Sequence, residues 1–277
     1  MAALLALSSA VLWGLGDFLG GLAARRLALL TVLAISQAVG LLGVAVWIVL
    51  ADEPFPGVRE LLPGAAGGLA GLVALGALYR GLAVGAMGIV APISAAAPVV
   101  PLVVDAGRGV VPSALQWLGV ALVLAGIVAL SREPSSPGGK RVATGVGLAL
   151  VAALGFGTFY VGLDVSADES VSWAVGSVRS ASVAAALVAV LVTSTSLRPP
   201  RRHFPLLAGV GLFDTSANVA VAYATTLGAV GTVAVLSALY PVVTVVLARV
   251  VLREKLSTPR RAGGVVALAG AAFVAAG

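Results

Sequence analysis

The chain alternates between ten apolar runs and short polar links, and that alternation limits its folds more than any other feature. A helix needs about 20 mostly apolar residues to cross the hydrocarbon core of a bilayer. Residues 3–23, 29–51, 61–82, 87–106, 114–131, 143–163, 171–194, 204–224, 229–250 and 261–277 meet that requirement. We number these spans one to ten. No link is long or polar enough to hold a soluble domain. The composition agrees: 60% of the residues are hydrophobic and 10% charged, against about 25% charged in a soluble domain. A water-soluble fold of this length could not cover so much apolar surface. The chain therefore reads as an all-α integral membrane protein with about ten transmembrane helices.

Several chemistries are excluded. There is no cysteine, so disulfides, thiol catalysis and Cys-ligated zinc are absent. The single histidine, His203, lies beside Arg201 and Arg202 in a polar link. A histidine-based metal site or catalytic triad does not fit, and neither enzyme activity nor a cofactor is expected. The net charge of +6 is carried by residues in the links. It reads as membrane orientation and contact with acidic headgroups, not as nucleic-acid binding. Residues 1–23 lack the basic start of a signal peptide and contain Asp17, so they read as a retained first span.

One longer link, Pro134-Ser135-Ser136-Pro137-Gly138-Gly139, falls at mid-chain and prompts a search for duplication. Gly85, Ala86, Gly88, Val90, Ala91, Ser94, Ala95, Pro98, Val99 and Val100 recur 143 residues later, from Gly228 to Val243. In span one, Gly14-Leu15-Gly16-Asp17-Phe18 aligns with Gly155-Phe156-Gly157-Thr158-Phe159 of span six. Pro63 and Gly67 match Pro205 and Gly209, and Gly119 and Gly126 match Gly263 and Gly270. The chain divides into a five-helix repeat over 1–133, a linker over 134–142 and a second repeat over 143–277. An odd number of spans per repeat turns the second copy upside down. Inverted repeats are a recurrent architecture of secondary transporters, with the solute site where the halves meet. Two helix starts are also legible. Ser113 with Gln116 forms a capping box for span five, and Thr258-Pro259 reads as an N-cap and first helical residue for span ten. Short glycine-containing turns, Ala83–Ala86 and Leu227–Ala229, join spans three to four and eight to nine as tight hairpins.

The chain resembles the drug/metabolite transporter superfamily, in particular its ten-helix EamA-like members. The resemblance rests on Trp13-Gly14 in span one, on the small-residue runs ending at Pro98 and Pro241, on Arg179 inside span seven, and on Glu254 ahead of the glycine-spaced last helix. It implies a central cavity lined by spans one, three, four, six, eight and nine, and export or import of amino acids, nucleotide-related metabolites, sugars or toxic organic compounds. Two departures stand out. The first half has no acid matching Glu254, and Gln37 stands where the second half has Arg179.

A charge in mid-bilayer is costly and demands a partner or a role. Asp17 in span one has Trp13 one turn earlier on the same face. Asp214 in span eight has Asn218 one turn later. Arg179 lies about 12 Å into span seven by helical rise. Asp17 and Asp214 are candidates to bind a cationic group of a solute or to carry a coupling proton, or else one of them pairs with Arg179 as structural glue. Trp13, Tyr223 and Tyr240 could wall a ring or a quaternary amine. Ser94, Ser237, Gln37 and Asn218 could hydrogen-bond solute or a neighbouring helix. Pro98 and Pro241 are expected to kink their helices and free carbonyls toward the cavity. Glu254, between Arg253 and Lys255, reads as an interfacial ion pair or a helix-end contact.

The basic residues fall almost entirely in links one, three, five, seven and nine with their flanks; outside these stand only Arg59, Arg108 and the in-span Arg179. The positive-inside rule then puts the odd links in the cytoplasm and both termini outside a plasma (inner) membrane, whereas the family resemblance would imply both termini inside. The functional expectation is a secondary transporter of a small organic metabolite, an exporter coupled to a proton gradient. The alternatives are a non-transporting scaffold or sensor, and a lipid-handling protein.

Overall fold

The computed structural model describes residues 1–84, 93–94, 96–131, 141–251 and 258–277. Its helices are α1 (Ala2–Ala24), α2 (Leu29–Ala51), α3 (Val58–Val84), α4 (Val99–Gly107), α5 (Ala114–Ser131), α6 (Arg141–Ala167), α7 (Val171–Thr193), α8 (Phe204–Thr225), α9 (Val230–Ser237), α10 (Tyr240–Val251) and α11 (Thr258–Ala276). No strand occurs among the described residues. Among the described residues, six helices are long and apolar enough to cross a membrane unaided: α1, α2, α3, α6, α7 and α8. Spans five and ten are the shorter α5 and α11. Span nine is α9 and α10 in sequence, and α4 is the second part of span four.

Local chemistry sets these boundaries. The capping box forms as expected: the Ser113 N–H donates to Gln116 Oε1 at 2.9 Å, and the Gln116 N–H donates to Ser113 Oγ at 3.2 Å. The Ser170 hydroxyl accepts from the Trp173 N–H at 3.3 Å and caps α7. Ser194 and Asp52 adopt left-handed φ of 52° and 48° and end α7 and α2. The helix α11 already includes Thr258, which the sequence had placed at its N-cap. The α8–α9 turn is tight, with the Leu227 N–H donating to the Ala224 carbonyl at 3.2 Å. Its counterpart lies outside the described residues from Gly85 on.

The spans that carry Pro98 and Pro241 are both interrupted. Span nine breaks at residues 238–239, one turn around Pro241. Proline has no N–H to donate, so the α-helical ladder is cut there, and the Leu239 N–H turns to the Leu236 carbonyl at 3.3 Å. Span four shows the same device at 96–98, where the Val99 N–H reaches the Ala96 carbonyl at 2.9 Å and the Val100 N–H reaches that of Ala97 at 3.2 Å.

The halves interlock instead of lying side by side. Helix α1 packs on α8, and its mirror α6 packs on α3; α5 packs on α11. A Cβ on Gly14 would lie 2.5 Å from Val243 Cβ, and one on Gly157 would lie 2.5 Å from Val100 Cβ. Only glycine permits that approach. These two contacts are the same contact repeated with an offset of 143, which fixes the register of the duplication. Gly14 therefore pairs with Gly157, not with Gly155, and the counterpart of Asp17 is Tyr160, not Thr158. The exposed side of Thr158 confirms it: its hydroxyl merely returns to the Leu154 carbonyl of its own helix. The shared Gly-x-Gly spelling made a slip of two residues look like the better alignment.

Candidate functional site: a central cavity

Where the halves meet, they enclose a cavity of about 360 Å³. Spans one, three, four, six, eight and nine line it, as the family resemblance implied, but so do spans two and seven, through Gln37, Arg179 and their neighbours. The lining runs from mid-span to the ends of the helices at link one, reaching Gly21 on α1, Leu29 on α2 and Leu78 on α3. The cavity thus leads toward the end of the molecule that carries the odd, arginine-rich links.

The opposite end is sealed. Ala6, Ser9 and Ala10 of α1 are buried there. The Ser9 hydroxyl donates to Ser237 Oγ at 2.8 Å, and Ser237 donates to the Ala6 carbonyl at 3.3 Å. Arg108 Nη1 pairs with Asp164 Oδ2 at 2.7 Å, and Asp105 Oδ2 accepts the Gly231 N–H at 2.6 Å. In link two, the Glu53 carboxylate accepts hydrogen bonds from the hydroxyls of Ser170 and Ser172, which hold it below its usual ionisation range. The Asp164 hydrogen bond pushes Arg108 above its own. Every one of these contacts joins one half to the other.

Asp214, Arg179 and Gln37 form one polar cluster in the cavity wall. Arg179 Nη1 donates to Gln37 Oε1 at 2.5 Å and to Asp214 Oδ2 at 2.6 Å; Gln37 Nε2 reaches the same carboxylate oxygen at 3.5 Å. The guanidinium is buried, at 2% exposure, while the Asp214 side chain keeps 31%. A buried arginine needs a counter-charge at this depth, and Asp214 supplies it. Of the two carboxylates, it is therefore Asp214 that Arg179 ties down. Asp17, one helix away, faces the cavity with its side chain exposed to it and has no hydrogen bond or ion pair among the described residues.

An aromatic cluster stands beside Asp17. The Trp13 ring centroid lies 6.1 Å from Phe159, 5.8 Å from Tyr160 and 6.3 Å from Tyr240, and Phe159 and Tyr160 are 5.7 Å apart. Trp13 Nε1 donates to Asn218 Oδ1 at 3.2 Å, which fixes the indole. Trp13, Tyr240, Asn218, Ser94, Pro98 and Pro241 all line the cavity. Tyr223 does not. It lies five residues beyond Asn218, about 140° further round the helix, where it is 41% exposed and packs on Trp47 at 6.3 Å. Ser237 is fully buried in the seal and not in the cavity. Glu254 lies outside the described residues. Phe156, Phe159 and Tyr160 were missed in the sequence, although the correct register sets Phe156 opposite Trp13 and Tyr160 opposite Asp17. Asp105 and Asp164 were missed as well, because they lie near span ends where an acid seems unremarkable. Among the described residues no group of three His, Cys, Asp or Glu side chains comes together to hold a metal ion.

Comparison with known proteins agrees with this geometry. A solved crystal structure of 18% sequence identity superposes with a TM-score of 0.81, covering 98% of this chain and 95% of its own; at that identity the likeness is one of fold. No curated protein matches the chain. The EamA-like transporter family matches it in two stretches, residues 1–132 and 143–276. With inverted five-helix repeats around a shared cavity and a family match over nearly its whole length, the chain belongs to the EamA-like transporter family, a family of multi-pass membrane transporters.

Proposed function

We propose that this transporter is a secondary carrier that exports a small organic solute bearing a cationic group, by alternating access, with a proton as the coupling ion. The observation that carries the reading is the charge count in the cavity. Among the described residues that line it, two carboxylates, Asp17 and Asp214, share the space with one guanidinium, Arg179. Arg179 satisfies Asp214, so one negative charge at Asp17 is left without a partner. A lone carboxylate at membrane depth is costly unless something neutralises it. A proton or a solute ammonium does so, and the two then compete for the same oxygen atoms. Competition of this kind is the simplest way for one ion to drive another solute.

Trp13, Phe159, Tyr160 and Tyr240 suit the rest of that solute. Ring faces attract a cation within about 6 Å, and they give an apolar body a surface to pack on. The side to which the cavity leads supports the export direction. That side carries the arginine-rich links, so it is cytoplasmic on the positive-inside rule, and both termini face out. A site reached from the cytoplasm loads there and releases outside.

A thermal-stability screen of the purified protein against amines, amino acids, nucleosides and organic cations tests the reading. Stabilisation by amine-bearing solutes, lost when pH is lowered far enough to protonate Asp17 or when Asp17→Asn is introduced, is the expected result. Stabilisation by anions alone, or by amines in Asp17→Asn as strongly as in the parent, would remove Asp17 and the cationic solute from the account.

A further inference from the structure

The seal and the repeat together say more about how the two ends close. All of the cross-half contacts in the sealed end pair residues of one repeat with residues of the other. In an inverted repeat, the partner positions at the opposite end are found by moving each residue into the other copy. An offset of 143 carries Arg108 to Val251 and Asp164 to Gly21; it carries Ser9 to Ala152 and Ser237 to Ser94. The ionic contact of the sealed end thus has a glycine and a valine as its counterpart. Gly21 lines the open cavity with nothing within 4 Å of where its Cβ would be, and Val251 is exposed. These two have not met.

We propose that Arg108, with Asp164 and Asp105, is an ionic latch that holds the acidic end shut, and that the arginine-rich end closes in its turn by an uncharged contact between Gly21 and Val251. The argument rests on the alternating-access reading above. Asp164 keeps only 6% of its side chain exposed and Asp105 is 3% exposed, whereas Arg108 keeps 44%. Two buried carboxylates are therefore served by one cation that reaches solvent. Link six adds Asp168, which also acts on Arg108. Without the arginine, the buried acids gain most by hydration, and hydration at that place requires the end to open. At the Gly21 and Val251 positions of the other end there is no carboxylate to strand. The latch biases the resting carrier toward the cavity orientation seen here, and it must break each time solute leaves on the acidic side.

The absence of cysteine makes the test clean. Ala10, buried at 3% exposure in the seal, is replaced by Cys as the sole thiol, and a membrane-impermeant maleimide is applied to the acidic side of oriented vesicles. Labelling should rise by roughly tenfold or more in Arg108→Gln and in Asp164→Asn, and stay at the parent level in Arg108→Lys, which keeps a cation beside Asp164. A merely structural role predicts loss of folded protein without this pattern. In a second arm, Gly21→Cys with Val251→Cys should cross-link under an oxidant only when Arg108→Gln is also present. Unchanged labelling in both neutral variants, or equal cross-linking with and without Arg108→Gln, would overturn the latch. Neither readout needs a solute, so the latch fails or stands separately from the choice of Asp17 as the solute site.

Discussion

The two halves share a skeleton but not a chemistry. Gly14 meets Val243 as Gly157 meets Val100, to the same distance. Gly16 of α1 faces Phe213 of α8, and Phe159 of α6 faces Gly71 of α3, the same pair with small and large exchanged. Around the cavity the matched positions diverge: Asp17 against Tyr160, Gln37 against Arg179, Leu72 against Asp214, Gly76 against Asn218, and Ala97 against Tyr240. The duplication preserved what lets helices approach and move, and it let each wall take its own polar groups. Among the described residues of the cavity wall, only the second half brings a cation, and only the first leaves a carboxylate unpaired. A carrier that must bind a solute in one orientation needs such asymmetry, because a symmetric wall would present the same group twice.

The largest break in this comparison should come from Arg179→Ala. It leaves Asp214 without its counter-charge beside an already unpaired Asp17, and removal of one partner of a buried pair costs about 3–5 kcal/mol. Thermal unfolding in detergent should show a loss of that order. The exchange Gln37→Arg with Arg179→Gln moves the cation to the mirror position on α2, where the 3.5 Å approach of Gln37 to Asp214 places it within reach of the same carboxylate; most of the loss should be recovered. A doubly exchanged protein as unstable as Arg179→Ala would show that the mirror positions are not interchangeable.

Next come the matched glycines. Gly14→Ala and Gly157→Ala each push a methyl into a valine at 2.5 Å, an overpacking of about 1–3 kcal/mol. The two losses should agree, since the contacts are the same. A large difference in melting temperature between them would break the symmetry that the register rests on. The smallest effect belongs to Glu53, whose mirror position is Thr195. Serine hydroxyls hold its carboxylate below the usual range in the folded protein. Its contribution is thus complete above the ordinary carboxylate pKa and fades as pH falls through the lower, folded value. At this half-exposed place it is worth less than about 1 kcal/mol. Glu53→Gln should lower stability slightly at neutral pH and leave it unchanged once the carboxyl is protonated in strong acid.

Much of the architecture was legible because lipid imposes it. Ten runs of the right length leave few folds, and an odd count per repeat forces inversion. The capping box at Ser113 and the breaks at Pro98 and Pro241 followed from backbone hydrogen bonding alone. What stayed hidden is what depends on rotation about a helix axis. Tyr223 looked like a cavity residue because aromatic type was weighed and helix face was not. Ser237 looked equivalent to Ser94, yet one lies in the seal and the other on the cavity, since the two ends are in different states. The choice of Asp214 as partner for Arg179 could not be read from either residue, because Asp17 offered the same charge at a similar depth. Asp105 and Asp164 were passed over because each is ordinary alone and unusual only beside the other.

The central claim is that the unpaired carboxylate of Asp17 binds the solute cation or proton. Its most direct test is transport by Asp17→Asn in proteoliposomes under an imposed proton gradient, with the solute that stabilises the parent protein. The account predicts that gradient-driven transport falls by roughly a hundredfold or more, while the melting temperature and the Arg179–Asp214 pair are kept. Transport that remains near the parent rate, and still responds to the gradient, would contradict it.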